Sequence, residues 1–204
     1  VFRFIYYCSN VQSRTSLHYA RLAARLVRTI KLYELYSFLL YTYIMKRTPI
    51  TIILPNIRSA MNVGAILRTA DGINAEKVYL TGYTATPEHP KVAKTSLGAE
   101  NSVPWEHVAD TKELLRKKKA EGYLIIGLEL TKSAVKIWDQ KFTFPVALLV
   151  GNEIGGIPED EQVLCDQIIY LPMLGIKESL NVATSTGITA YEMLRQYDIA
   201  NNLR

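Results

Sequence analysis

Cysteine is scarce in this 204-residue chain: Cys8 and Cys165 are the only two, too few for a disulfide framework. Histidine is equally sparse, and His18, His89 and His107 stand too far apart to read as metal ligands. A reduced, metal-free protein of the cytoplasm is the expectation. An uncharged apolar run of about 20 residues, which a membrane-spanning helix requires, is also missing. The nearest approach, Thr29 to Ile44, is interrupted by Lys31 and Glu34, so no membrane partner is expected. No small-residue cleavage site follows it, which argues against a secretory leader. The glycine fingerprint of dinucleotide-binding proteins and the lysine-bearing phosphate loop are absent too, which removes support for nicotinamide or nucleoside-triphosphate chemistry.

What is present is ordinary for a globular domain: 49% hydrophobic and 21% charged residues, in a length suited to one well-filled core. The net charge of +5 is unevenly spread. Residues 1–44 hold six Lys or Arg and one acidic residue, so the remaining 160 residues carry eighteen of each sign and balance. Any affinity of the main domain for an anionic polymer must therefore come from local patches. The first 44 residues also contain seven of the thirteen tyrosines and no glycine or proline. Two readings of this segment stand: a basic amphipathic helix that docks on RNA, membrane or a second subunit, or upstream sequence before a true start at Met45. The domain proper is expected at residues 45–204.

From residue 48 onward, β-branched runs alternate with helical periodicity, the pattern of a parallel sheet flanked by helices in an α/β fold. Strands are expected at Ile50–Leu54, Lys77–Thr81, Tyr123–Leu128, Val146–Val150 and Gln167–Leu171. Helices are expected at Val63–Ala70, Thr111–Glu121, Pro158–Leu164 and Leu180–Tyr197. The stretch Gly82 to Pro104, with Pro87, Pro90 and Pro104, reads as a long functional loop.

Three turns have the chemistry of ligand sites. After the first strand, Asn62 reads as an N-cap, Gly64 allows close backbone approach, and Arg68 can grip a phosphate or carboxylate through its planar fork. After Val146–Val150 comes Gly151-Asn152-Glu153-Ile154-Gly155-Gly156, a glycine-rich turn that lets a flat ligand reach the backbone. Near the C-terminus, Leu171-Pro172-Met173 precedes Ser179-Leu180-Asn181, where Ser179 and Asn181 can cap a helix whose first N–H groups are unpaired. Each has a plainer explanation as a cap, a surface arginine or a solvated carboxylate, and spacing alone does not choose.

Taken together, NVGAILRTADG, LLVGNEIGGIP and YLPMLGIKESLNVATSTGITAYEMLRQ resemble, in order, the three motifs of the SpoU or TrmH family of RNA ribose 2′-O-methyltransferases, within the SPOUT superfamily. The likeness covers about residues 48–197. It implies an α/β sheet with a C-terminal trefoil knot, S-adenosylmethionine bound in that knot, and a homodimer whose active site joins both subunits. It further implies that the cofactor meets Gly151, Leu171 and Leu180, with Met173 as a further wall. The family's catalytic residues match Asn62, Arg68, Glu153, Ser179 and Asn181. The implied partner is a structured RNA, tRNA or rRNA, and the implied reaction is methyl transfer to a ribose hydroxyl. Arginine stays protonated in proteins, so Arg68 is expected to clamp a phosphate, and that phosphate or a transiently deprotonated arginine would take the hydroxyl proton. Lys46, Arg47, Arg58, Lys91, Lys94 and the run Arg116 to Lys119 are possible phosphate contacts. Two other readings stay open: a catalytically silent RNA-binding dimer, and a methyltransferase acting on a base nitrogen. The Tyr191, Met193 and Leu194 face of the last helix is the expected dimer contact.

Overall fold

The computed structural model describes residues 47–201, together with Val27 and Lys31. The readings of residues 1–44 as a docking helix or an upstream extension lie outside the described residues, as do Cys8 and His18.

Seven strands form one all-parallel sheet: β1 (Thr48–Pro55), β2 (Ala75–Thr81), β3 (Trp105–Val108), β4 (Leu124–Leu128), β5 (Val135–Lys136), β6 (Val146–Val150) and β7 (Gln167–Tyr170). Their spatial order is β3-β2-β1-β6-β4-β7-β5. Within residues 47–201 six α-helices accompany them: α1 (Ala60–Gly72), α2 (Pro90–Ser96), α3 (Ala99–Ser102), α4 (Thr111–Ala120), α5 (Glu159–Gln162) and, after the last strand, α6 (Val182–Asn201). Parallel strands covered on both faces need apolar residues at every position, which is why β1 and β6 read as unbroken runs. Alternate side chains enter two separate cores. Ile52, Leu54, Val146, Leu148 and Val150 pack with α1 and α6, whereas Ile53, Ala147 and Leu149 pack with Leu114 and Leu115 of α4.

All five expected strands form, and the parallel α/β expectation holds. The two strands missing from the sequence reading, β3 and β5, lie at the ends of the strand order. There a short segment such as Trp105-Glu106-His107-Val108 stays half exposed and has no apolar run to announce it. The stretch Gly82 to Pro104 is not a loop throughout, because it contains α2 and α3. Pro90, which suggested irregular chain, occupies the first turn of α2, where a missing N–H costs nothing. The packing of α2 on α1 depends on Gly64: a Cβ there would run into the Thr95 hydroxyl and the Val92 carbonyl.

Asn62 is not the N-cap of α1. Ser59 holds that place with extended backbone and accepts the Asn62 N–H at 3.3 Å. At the far end of the chain Asn181 does cap α6, its Oδ1 accepting the N–H groups of Ala183 and Thr184 at 2.9 and 3.3 Å. Helix α6 lies beside α1, with Asn181 against Asn62 and Tyr191 against Gly72. The expected contact face Tyr191, Met193, Leu194 is also corrected: Met193 is fully buried and Leu194 packs on the core, leaving only Tyr191 exposed.

Candidate active site

The carboxyl ends of β4, β6 and β7 open into one cleft of about 440 Å³. Its floor is apolar, from Leu128, Val150, Leu171, Met173 and Leu180. Its rim is acidic, from Glu129, Glu153 and Glu178. The size suits a small cofactor, and the mixture of apolar walls with a few convergent polar groups is usual for such pockets. Gly151, Leu171, Met173 and Leu180 all line this cleft, as do Glu153, Ser179 and Asn181.

A chain of hydrogen bonds ties the three sequence motifs together beside it. Asn181 Nδ2 donates to Asn62 Oδ1 at 3.1 Å, and Asn62 Nδ2 donates to Glu153 Oε1 at 3.0 Å. The Glu153 carboxylate also accepts the backbone N–H of Arg58 at 2.9 Å and that of Ser59 at 3.1 Å, at the mouth of α1. Partial burial pushes the Glu153 carboxyl upward, but these donors outweigh it and hold the group below the usual carboxylate range. A negative charge at this helix entrance also suits the helix dipole.

The turn itself is held from behind by Glu129, which the sequence reading missed. Its Oε2 accepts the Ile157 N–H and its Oε1 the Leu130 N–H, both at 2.9 Å. Gly156 has φ +64°, and a Cβ on it would drive into the Glu129 carboxylate, so this is one position where only glycine serves. The available signal was a carboxylate placed immediately after a buried strand. Asn152 closes the turn: its Oδ1 accepts the N–H groups of Ile154 and Gly155, and its Nδ2 donates to the Asn56 carbonyl and to the Tyr83 hydroxyl.

Arg68 stands apart from the cleft. It is exposed on α1, does not line the cavity, and makes no hydrogen bond or ion pair among the described residues. Several basic residues proposed as phosphate contacts are engaged elsewhere. Arg47 donates to the carbonyls of Ala75 and Ser102 at 3.1 and 2.6 Å. Lys118 is buried between the rings of Tyr79 and Tyr123 and pairs with Glu121, while Lys119 pairs with Asp166. Arg58, Lys91, Lys94, Arg116 and Lys117 remain exposed. Among the described residues no cluster of potential ligands could hold a metal ion, and no helix is long and apolar enough to cross a membrane.

The SpoU rRNA Methylase family profile matches residues 49–191, spanning all the elements that build the cleft. Among curated proteins, a 23S rRNA (guanosine-2′-O-)-methyltransferase of Pseudomonas syringae is 31% identical over 148 residues, covering 72% of this chain and 59% of that protein. A tRNA (guanosine(18)-2′-O)-methyltransferase of Aquifex aeolicus is 33% identical over 142 residues, covering 69% and 66%. The chain therefore spans about three fifths to two thirds of the length of these relatives. The solved TrmH/SpoU tRNA modifying enzyme of A. aeolicus superposes with a TM-score of 0.69 at 30% identity, covering 76% of this chain and 79% of that one. An AdoMet-bound rRNA methyltransferase of Sinorhizobium meliloti superposes with a TM-score of 0.68 at 29% identity, covering 72% and 56%. With its sheet, its cleft and its three linked motifs, this chain belongs to the SpoU rRNA Methylase family.

Proposed function

We propose that the protein transfers a methyl group from S-adenosylmethionine to the ribose 2′-hydroxyl of a nucleotide in tRNA or rRNA. The observation that carries this reading is the Asn181–Asn62–Glu153 chain at the edge of the cleft, in a family whose named relatives methylate ribose in both RNA classes. S-adenosylmethionine supplies an electrophilic methyl group on a sulfonium. The residues present suit it: the apolar floor from Leu128 to Leu180 accepts a purine face, and Glu129, Glu153 and Glu178 give the rim a negative field that favours a cation.

The protein's own part is alignment. Asn62, Glu153 and Asn181 spend their polar atoms on one another and on the ends of α1 and α6, so they act as positioning residues that fix the turn. Holding the ribose oxygen in line with its target supplies on the order of 7–11 kcal/mol in the best-aligned intramolecular cases. Ser179 faces the cleft, where its hydroxyl can contact the ribose. Arg68 grips the adjacent phosphate, and that phosphate accepts the hydroxyl proton as the oxygen–carbon bond forms and the sulfur–carbon bond breaks.

Arg68 does not line the cleft of its own subunit, and Ile188 and Tyr191 of α6 are 38% and 52% exposed. Both observations support a homodimer in which Arg68 serves the partner's site. The resemblance of the three motifs to the SpoU family is the ground for proposing that the segment after β7 is threaded as a trefoil knot, and tRNA or rRNA as substrate fits work in the cytoplasm. The test is incubation of the full chain with methyl-labelled S-adenosylmethionine and unmodified tRNA or rRNA, then nuclease digestion. Label in a 2′-O-methyl nucleoside that disappears with Arg68→Ala supports the reading. Label on a base nitrogen, or cofactor binding without transfer to either RNA, overturns it.

A further inference from the structure

The acidic rim of the cleft, from Glu129, Glu153 and Glu178, repels a phosphate chain as much as it attracts a cation. A polyanion that reaches the cleft therefore needs a positive surface beside it. The outer edge of the sheet at β5 supplies one. Leu128, Ile169 and Val135 stand in one row across β4, β7 and β5, so β5 begins where β4 ends, level with the cleft. Lys136 pairs in register with Tyr170, a wall of the cleft, at one strand spacing of about 4.8 Å.

Residues 131–141 carry Lys132, Lys136 and Lys141 against a single acid, Asp139, a net +2 in a domain whose charges balance overall. All three lysines are exposed and form no ion pair among the described residues. Between them stands Trp138, 56% exposed, its ring and its indole N–H without a partner among the described residues. Large aromatic side chains usually bury their rings, and a bare one on a firm base marks a contact surface. The base here is firm. Ile137 is fully buried and Phe142 nearly so, while Gln196 of α6 accepts the Phe142 N–H at 3.0 Å and donates to the Gln140 carbonyl at 2.9 Å. The 3₁₀ turn Ile137–Asp139 is thus anchored on both sides and holds the indole out to solvent.

We infer that this edge binds the RNA strand beside the target nucleotide, with one unpaired base stacked on Trp138 and the adjoining phosphates held by Lys132, Lys136 and Lys141. This rests on the reading of the protein as an RNA ribose methyltransferase. Trp138 follows Lys136 by two residues, at most about 7 Å of extended chain, so the base it stacks lies only about one or two nucleotides from the cleft. Aromatic stacking accepts any base, because each has a π-face, and lysines track phosphates without reading sequence. The edge therefore selects an unpaired strand and no particular base. A duplex keeps its bases stacked on one another and offers Trp138 nothing to take.

The test uses the full chain carrying Trp105→Phe, which leaves Trp138 as the sole tryptophan and its fluorescence as the reporter. A short single-stranded RNA should quench that fluorescence, and the duplex of the same sequence should not. Trp138→Ala should weaken binding of the single strand, read by anisotropy of labelled RNA, by about tenfold or more, and Trp138→Phe should recover most of the loss. Replacing Lys132, Lys136 and Lys141 together by Gln should reduce the slope of log affinity against log salt by about 2, since each phosphate contact on a single strand contributes about 0.7. Unchanged unfolding midpoints would show that these exposed substitutions leave the fold intact. Saturating RNA without quenching, equal quenching by the duplex, or an unaltered salt slope in the triple variant each overturns the inference. So does a Trp138 signal that answers to anionic phospholipid vesicles and not to RNA. The methyl-incorporation assay separates the two readings. Methyl transfer that is indifferent to Trp138→Ala in both affinity and turnover sinks only the edge assignment, and quenching without methyl transfer sinks only the reaction.

Discussion

Asn62 and Glu153 stand 91 residues apart in sequence and 3.0 Å apart in space, and their hydrogen bond joins the entrance of α1 to the glycine-rich turn after β6. Neither residue has another route to that contact, because Asn62 gives its remaining oxygen to Asn181 and Glu153 gives its lone pairs to the start of α1. Asn62→Ala should therefore loosen two turns at once. The expected cost is about 1 kcal/mol of stability, since the site is partly solvated. A double-mutant cycle with Glu153→Gln, read by chemical denaturation, should show the two losses to be less than additive. Full additivity would mean that the pair is not coupled.

Acid should act on the same link. The folded-state pKa of Glu153 is depressed below the ordinary value, so its contribution to stability is complete above the unfolded carboxylate range. That contribution is lost as pH falls through the depressed folded value. Amide exchange at Arg58 and Ser59, corrected for intrinsic rates, should accelerate only once pH has fallen below the ordinary carboxylate range, as the depressed Glu153 carboxyl protonates. In Glu153→Gln the acceleration should be absent. Unchanged protection of both amides down to the acid unfolding of the whole domain would rule out the carboxylate as their anchor.

Gly156→Ala tests the other support of the turn. The substitution forces a left-handed backbone on alanine and pushes a methyl group into the Glu129 carboxylate. A loss of about 1–3 kcal/mol is expected from the strain. S-adenosylmethionine affinity should fall along with it, because Glu129 and Gly156 both wall the cleft. Gly155→Ala is the control, since a Cβ there meets nothing within 4 Å and no positive φ is involved. Calorimetric binding of the cofactor to both variants would show whether the close approach at Gly156 is what shapes the pocket.

Much of this architecture was legible in the sequence, for identifiable reasons. Strands β1, β4 and β6 are buried on both faces and therefore advertise themselves as apolar runs. Strands β3 and β5 are the outermost and carry no such signature, and α2 hides behind a proline that is harmless at a helix start. The turns that line the cleft had local signals in their strand ends and caps, and the family resemblance is what singled out Gly151, Leu171, Met173 and Leu180 among them. Partnership was not legible: nothing local could reveal that Asn62 serves Glu153 and Asn181 instead of capping its own helix, a task Ser59 performs three residues earlier. Glu129 escaped for the same reason, since a carboxylate after a strand looks solvated until the fold sets it against the glycine-rich turn.

Cys165 offers a test of burial that is independent of function. Its thiol is pushed up to about 12, chiefly by desolvation and then by the charges of Asp166 and Glu161. At pH 8 the thiolate fraction is therefore minute, and the thiolate is the reactive form. Alkylation by iodoacetamide, followed by peptide mapping to distinguish Cys165 from Cys8, should be at least about a hundredfold slower at Cys165 in the native protein than in urea. Rapid native labelling at Cys165 would mean that the layer formed by α5 and β7 opens readily.

Arg68 separates chemistry from stability most cleanly. It is exposed, makes no hydrogen bond or ion pair among the described residues, and does not line the cleft, so Arg68→Ala should leave the unfolding midpoint nearly unchanged, within the ~0.5 kcal/mol typical of surface positions. Methyl transfer should nevertheless fall by at least about a hundredfold, because in the proposed reaction Arg68 places the phosphate that takes the proton. Arg68→Lys keeps the charge and loses the planar fork, so it should restore RNA binding more than it restores turnover. Mixing Arg68→Ala protomers with protomers disabled at Ser179 adds a sharper readout. If the arginine serves the partner's cleft, mixed dimers of the two variants contain one site with both residues intact, and activity returns toward half of wild type per mixed dimer. No recovery in verified mixed dimers would place Arg68 with the cleft of its own chain.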